Sequence, residues 1–156
     1  MWREIITYKD MEKIALLRND FGCVRNYTAD LIKGAIERKT DCHFYYYESD
    51  TIELIKGYKL MGDYISIITF TIKADVKDYP KALRLMAEKS KEYLESREIK
   101  KMIIGFGSKD ETSVNFHNIG IGKMGFAEVV KIAKIEYEKL GFKLTFDNKQ
   151  LIAELV

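Results

Sequence analysis

The stretch "NIGIGKMGFAEVVKIAKIEYEKLGF" (118–142) carries two patterns that imply different architectures. Its front, Gly120-x-Gly122-x-x-Gly125, spells the glycine fingerprint of a dinucleotide-binding turn, in which bare backbone meets a pyrophosphate at a helix N-terminus. Its back, "AEVVKIAKIEYEKL" (127–140), reads as a helix ended by Gly141, where a chain commonly leaves a helix through a left-handed residue. A functional fingerprint needs a buried parallel strand before it and more parallel strands after it. The preceding "SVNFHNI" (113–119) is polar where such a strand reads as a continuous apolar run. The unit also starts close to the end of the sequence, with room for one βαβ unit and none of the strands that build a crevice. Asp147, in "KLTFDNK", is the one residue placed to meet a ribose. The fingerprint thus lacks the context that gives it meaning.

Working outward, the periodicities alternate in type. "REIITY" (3–8) reads as a strand. "KDMEKIALLRND" (9–20) reads as a short amphipathic helix with Asp10 as its cap candidate. "NYTADLIKGAIERKT" (26–40) is a second helix, with Leu31, Ile32, Ala35 and Ile36 on one face. Three β-branched and aromatic runs follow: "CHFYYYES", "TIELIKGYKL" and "DYISIITFTI". Ser49-Asp50 and Gly62-Asp63 separate them, so an antiparallel meander is expected.

The period then changes. "DYPKALRLMAEKSKEYLESREI" (78–99) sets Ala82, Leu85, Met86, Lys89 and Tyr93 along one helical face, with Pro80 in the tolerant first turn. "KKMIIGF" (100–106) is a compact strand. Residues 107–126 read as a glycine-rich insertion, and "KLTFDNKQLIAELV" as one strand or a hairpin around "DNK". The order is β-α-α-β-β-β-α-β-α-β, an α/β (α+β) arrangement with a mixed, mostly antiparallel sheet. No repeat or break in composition divides it, so 1–156 is expected to be one domain.

Composition narrows the function classes. The chain has 156 residues, 47% hydrophobic and 32% charged, which is ordinary for a globular protein. Twenty-six basic residues face 24 acidic ones, and the two signs are interleaved, so nothing demands a nucleic-acid partner. No apolar run approaches the roughly 20 residues of a membrane span. The opening "MWREIITYKD" lacks a signal-peptide layout. Cys23 and Cys42 stand alone, outside any CxxC pair or histidine cluster, which fits a reduced, cytoplasmic setting and offers no metal site.

Three segments together resemble the GNAT N-acetyltransferase superfamily: "IELIKGYKL" (52–60), "IITFTIKADVKDYPKALRLMAEKSKEYL" (67–94) and "AKIEYEKLGFK" (133–143). In the last, Ala133, Tyr137, Glu138, Lys139, Leu140, Gly141 and Phe142 follow the family's wording for its final helix. The element order is similar over nearly the whole chain. The resemblance implies transfer of an acetyl group from acetyl-CoA to a primary amine, carried by a small molecule or a protein, in a monomer or homodimer. It places the backbone amides that hold the thioester carbonyl at Thr71, Ile72, Lys73 and Ala74, at the end of a splayed fourth strand. It gives Tyr137 the role of protonating the departing thiolate. It places the pyrophosphate near Lys77, Asp78, Tyr79, Lys81, Ala82 and Leu83.

That last loop departs from the family's glycine-rich pattern. In "DYPKA" (78–82) only Ala82 fits it, Pro80 lacks an amide donor, and Asp78 adds negative charge. Lys77 and Lys81 can compensate as point charges, helped by the positive end of the helix that starts there. The family's asparagine seven residues before the tyrosine is Val130 here. A second expectation follows from these departures: a catalytically inactive GNAT-fold module that serves binding or structure and has lost the CoA site. An active enzyme predicts a V-shaped opening between the fourth and fifth strands, whereas an inactive module predicts that opening plugged, for instance by Tyr79 or Phe70. Asp63, Glu53 and His117 are the candidate general bases. "HFYYY" (43–47) suggests either aromatic stacking on a ligand or a strand with alternating aromatics.

Overall fold

A computed structural model describes residues 1–12, 32–104, 119–120, 126–147 and 150–156. Eight strands form one sheet: β1 (Trp2–Glu4), β2 (Cys42–Glu48), β3 (Ile52–Leu60), β4 (Ile65–Ala74), β5 (Lys101–Ile104), β6 (Ile119–Gly120), β7 (Phe142–Asp147) and β8 (Gln150–Leu155). The main path runs β1-β2-β3-β4-β5-β8-β7, with β6 joined to β4. Two long helices lie among the described residues, α1 (Tyr79–Ser96) and α2 (Phe126–Glu138). Residues 8–12 and 32–36 are also helical.

The sheet is antiparallel except where β4 meets β5 and β6. The expected element order holds with two refinements. The short β6 precedes α2, and the closing segment resolves into the β7–β8 hairpin, closed by the Asp147–Gln150 pair. Gly141 ends the α2 segment at φ +92°, a left-handed conformation that glycine adopts without penalty. Strand β1 is shorter than the alternation of "REIITY" predicts. Thr7 leaves it to cap a helical turn, accepting a bond from the Asp10 amide at 3.2 Å while its hydroxyl donates to the Asp10 carboxylate at 2.9 Å. The cap is therefore Thr7, with Asp10 three positions into the turn.

Two cores result from period-two alternation on the strands. One face buries Tyr45, Ile52, Leu54, Tyr58, Ile65, Ile67, Phe70 and Ile72 under α1 and α2. The other buries Phe44, Tyr46, Ile55 and Cys42 with Ile32. The face that α1 presents is centred on Tyr79, Ala82, Leu83, Met86, Ser90 and Tyr93. Leu85 and Lys89, expected inside, lie at its margin. Arg84 of α1 and Glu136 of α2 tie the two helices together at 3.1 Å, and Lys139 reaches the other Glu136 oxygen at 3.4 Å.

One irregularity shapes the site. The register of β3 with β4 shifts between Gly57 and Tyr58, so that Gly57 faces Thr69 while Tyr58 faces Ile67. Residue 68 is the extra one, a β-bulge that reverses which residues of β4 point inward. Ile65 and Ile67 are core residues before it, and Phe70, Ile72 and Ala74 after it.

Candidate functional site

Strand β3 presents Ile52, Leu54, Lys56 and Tyr58 to one face, so a lysine stands in a row of core residues. Lys56 is 0% exposed. Its Nζ donates to the Tyr137 hydroxyl at 3.1 Å and lies 4.4 Å above the Phe70 ring, directly across from it on β4. Among the described residues no carboxylate pairs with it. Burial alone lowers its pKa from 10.5 to about 7, because the charged amine loses its hydration.

Tyr137 comes from α2 and is 1% exposed, its ring 5.2 Å from that of Phe142. Burial raises its pKa, and a hydrogen bond with Ser90 opposes that rise only in part. Ser90, on α1, also bonds the Tyr58 hydroxyl at 2.9 Å. Lys56, Tyr137, Ser90 and Tyr58 thus form one polar chain through the main core, joining β3 to both helices. Tyr58 stacks on Tyr93 at 4.2 Å, which fixes the far end.

The sequence-predicted binding residues lie at one end of the sheet. Thr71 and Ile72 are buried on β4, Ala74 nearly so, and Lys73 projects outward to Glu53 at 3.8 Å. A 3-10 turn at Val76–Asp78 leads straight into α1. Tyr79, Ala82 and Leu83 turn into the core, while Lys77 and Lys81 are exposed around the first turn of the helix. Asp78 occupies the cap position without a side-chain cap bond, and its Oδ2 is buried with no hydrogen-bond partner. The first turn thus sets two exposed lysines and the helix dipole against the Asp78 carboxylate and the missing amide of Pro80.

Among the described residues, β5 pairs with β4 at Ile65–Ile67, and β6 takes the same edge at Phe70–Thr71. Because β3 holds the other edge throughout, β6 resumes the line that β5 left. The bulge at residue 68 sits between the two pairings. Beyond Thr71, among the described residues, no strand runs along that edge beside Ile72 and Ala74. Tyr79 on α1 and Phe70 on β4 both belong to the helix-covered core.

Two of the candidate bases lie away from Lys56 and Tyr137, and the third is not described. Glu53 points to the sheet face opposite Lys56, Asp63 is exposed in the β3–β4 turn, and His117 falls outside the described residues. The residue missed from sequence is Lys56, although its phase in "IELIKGYKL" marks it as inward. The tyrosines of "HFYYY" alternate between the two cores, as a strand requires, and Tyr45 packs edge-on against Tyr58 and Tyr93.

The glycine fingerprint has only its first residue described. Gly120 does lie on a parallel strand, but one of two residues. The strand after α2, β7, is separated from β5 by the antiparallel β8, and Asp147 is paired within that hairpin. A βαβ crevice needs neighbouring parallel strands on both sides of the helix, and this order does not supply them.

No protein-family model matches the chain, and no curated protein does. Solved structures do. A protein from Desulfovibrio desulfuricans assigned to the GNAT acetyltransferase family superposes with a TM-score of 0.54 at 10% identity, covering 98% of this chain and 94% of that one. An N-acetyltransferase from Staphylococcus aureus Mu50 superposes with a TM-score of 0.50 at 12% identity, covering 99% and 94%. The described residues share the GNAT fold of these structures, as the resemblance in "AKIEYEKLGF" implies. No helix among the described residues is long and apolar enough to cross a membrane.

Proposed function

We propose that this GNAT-fold protein is an N-acetyltransferase that moves an acetyl group from acetyl-CoA to a primary amine. The observation that carries the reading is the Tyr137 hydroxyl of the last long helix, held by the buried Lys56 opposite Phe70 on β4, the strand whose end the resemblance assigns to the thioester. Acetyl-CoA, when bound, supplies an activated acyl carbonyl and a thiol leaving group. The chain's own groups suit the rest of the chemistry. Backbone N–H groups at the end of β4 suit an oxygen that gains negative charge, a role worth several kcal/mol in other enzymes. Tyr137 keeps its proton at neutral pH because burial disfavours its anion, so it is available as a general acid. Lys77, Lys81 and the start of α1 attract the diphosphate.

One observation favours a second reading, a GNAT-fold module without catalysis. The buried, unpartnered Asp78 Oδ2 lies at the helix start together with Pro80, and both oppose an anion there. Calorimetric titration with acetyl-CoA separates the two. Micromolar binding followed by thiol release with amine acceptors supports the enzyme. Absence of binding in the folded protein supports the module and directs attention to macromolecular partners.

A further inference from the structure

We propose that Lys56 is the partner through which Tyr137 acts: its amine orients the Tyr137 hydroxyl and returns a proton to it after each transfer. The proposal rests on the acetyltransferase reading above. Its ground is geometric. Lys56 is wholly enclosed, its Nζ bonds the Tyr137 hydroxyl at 3.1 Å, and the Phe70 ring 4.4 Å away supplies a favourable face to the cation. An enclosed amine without a carboxylate is costly to keep for packing alone, since a methionine would fill the same space.

The protons balance along this path. The Tyr137 O–H bond breaks as its proton goes to the departing sulfur, forming S–H. A Lys56 N–H bond then breaks as the Tyr137 O–H bond re-forms, leaving the amine neutral. The proton shed by the acceptor amine as it becomes an amide replaces the one Lys56 gave, so no net proton is consumed.

The surroundings suit an amine that changes charge near neutrality. Among the described residues, the titratable groups nearest it in the core are Tyr137 from α2 and Tyr58 on its own strand, both held neutral by burial. β4 contributes the Phe70 ring, and α1 contributes Ser90, which links Tyr58 and Tyr137. With its affinity for protons lowered to about 7, Lys56 can both give and take one.

The test has two arms. In the first, the Lys56 side-chain resonances of isotope-labelled, ligand-free protein are followed by NMR against pH, assigned by their loss in Lys56→Met. The expected midpoint lies near 7 and moves in Tyr137→Phe. In the second, thiol release from acetyl-CoA is measured against pH. The expected wild-type profile has an inflection near 7 that Lys56→Met removes, with kcat reduced about 100-fold and KM for acetyl-CoA unchanged. A Lys56 midpoint at its ordinary value, or one indifferent to Tyr137→Phe, overturns the proposal whatever the activity. So does a pH profile that Lys56→Met leaves intact. A wild type that binds no acetyl-CoA in calorimetry sinks the acetyltransferase reading and the proton-return step with it, while the NMR arm alone then decides whether the two residues are coupled.

Discussion

Lys56 and Tyr137 are 81 positions apart in sequence and 3.1 Å apart in space, joined by a hydrogen bond that neither residue could replace with water. That bond crosses from the middle of the sheet to the last helix. It makes the position of Tyr137 depend on the inward phase of β3, and the charge of Lys56 depend on how well α2 is packed. Strongly shifted titratable groups that touch one another inside a fold are where functional chemistry concentrates, although structural networks also produce them.

The first prediction concerns stability. Lowering the Lys56 pKa from 10.5 to about 7 corresponds to a penalty on the order of 4 kcal/mol at neutral pH. Between pH 7 and 10.5 the unfolded chain holds a proton that the folded one lacks, so native stability rises with pH through this window. The penalty is fully present below 7 and gone above 10.5. Lys56→Met therefore stabilises the protein at pH 6 by a few kcal/mol, less about 1 kcal/mol for the hydrogen bond that Tyr137 loses. Denaturant titrations at pH 6 and pH 10 check this, with the gain expected to shrink at the higher pH.

The tyrosines set the opposite limit. Burial raises the pKa of Tyr58, Tyr93 and Tyr137 above the ordinary 10. Their contribution is complete below pH 10 and is lost as the pH rises further, because the unfolded phenols ionise and the folded ones do not. Stability should thus peak near pH 9 to 10 and fall above it with a slope exceeding one proton. Thermal melts across pH 8 to 11 locate the maximum. A flat alkaline limb would show that these hydroxyls reach solvent.

Much of this molecule is legible in its sequence, for reasons that differ by element. The three strands from Cys42 to Ala74 announce themselves because one buried face imposes period two, and the turn residues between them are unambiguous. The last helix is legible because Gly141 marks its end and "AKIEYEKLGF" its type. The bulge at residue 68 is not, since Ile67, Ile68, Thr69 and Phe70 suit either face, and only pairing with β3 decides which one slips. Nor is β6, whose two residues gain strand character from the vacant edge of β4 rather than from their own propensity. Lys56 was readable but overlooked, because lysine in a strand is ordinarily assigned to the solvent side. The meeting of Lys56 with Tyr137 could not be read at all, as it depends on how α2 crosses the sheet.

The helix pair offers a control remote from the site. The Glu136 side chain is only 5% exposed, and its carboxylate is held below its usual pKa first by Arg84 and then by Lys139. Arg84→Met leaves that carboxylate with Lys139 alone and should modestly lower the unfolding midpoint, since the arginine is half-exposed and screened, an effect lost again in the double variant with Glu136→Met. Because the Glu136 pKa is depressed, its contribution is present above pH 4.5 and disappears as the pH falls below it. Equilibrium unfolding of the single and double variants at pH 7 and pH 4 measures the coupling.

For activity, Tyr137→Phe is the sharper variant. It removes one oxygen, preserves the ring contact with Phe142, and leaves the Lys56 amine facing Phe70. The expected result is a loss in kcat of about 100-fold, an acetyl-CoA affinity within twofold of wild type, and a melting temperature changed by only a few degrees. An unchanged kcat would assign the hydroxyl a purely structural role.

The last prediction separates charge from shape at the start of α1. Lys77 and Lys81 are both exposed there, and Pro80 between them has no amide to give. A diphosphate held by these lysines is held through partly hydrated contacts, each worth about 1 kcal/mol or less and screened by salt over about 10 Å. The double variant Lys77→Ala/Lys81→Ala should weaken acetyl-CoA binding about 10-fold at low ionic strength and less at 0.5 M salt. Its kcat should be unaffected, because both lysines are exposed while Tyr137 is enclosed in the core. Asp78→Asn should act in the opposite direction, since it removes a negative charge whose Oδ2 is already buried without a partner. If Asp78→Asn weakens binding instead, the carboxylate is orienting the first turn, and the anion site is built by that geometry more than by charge.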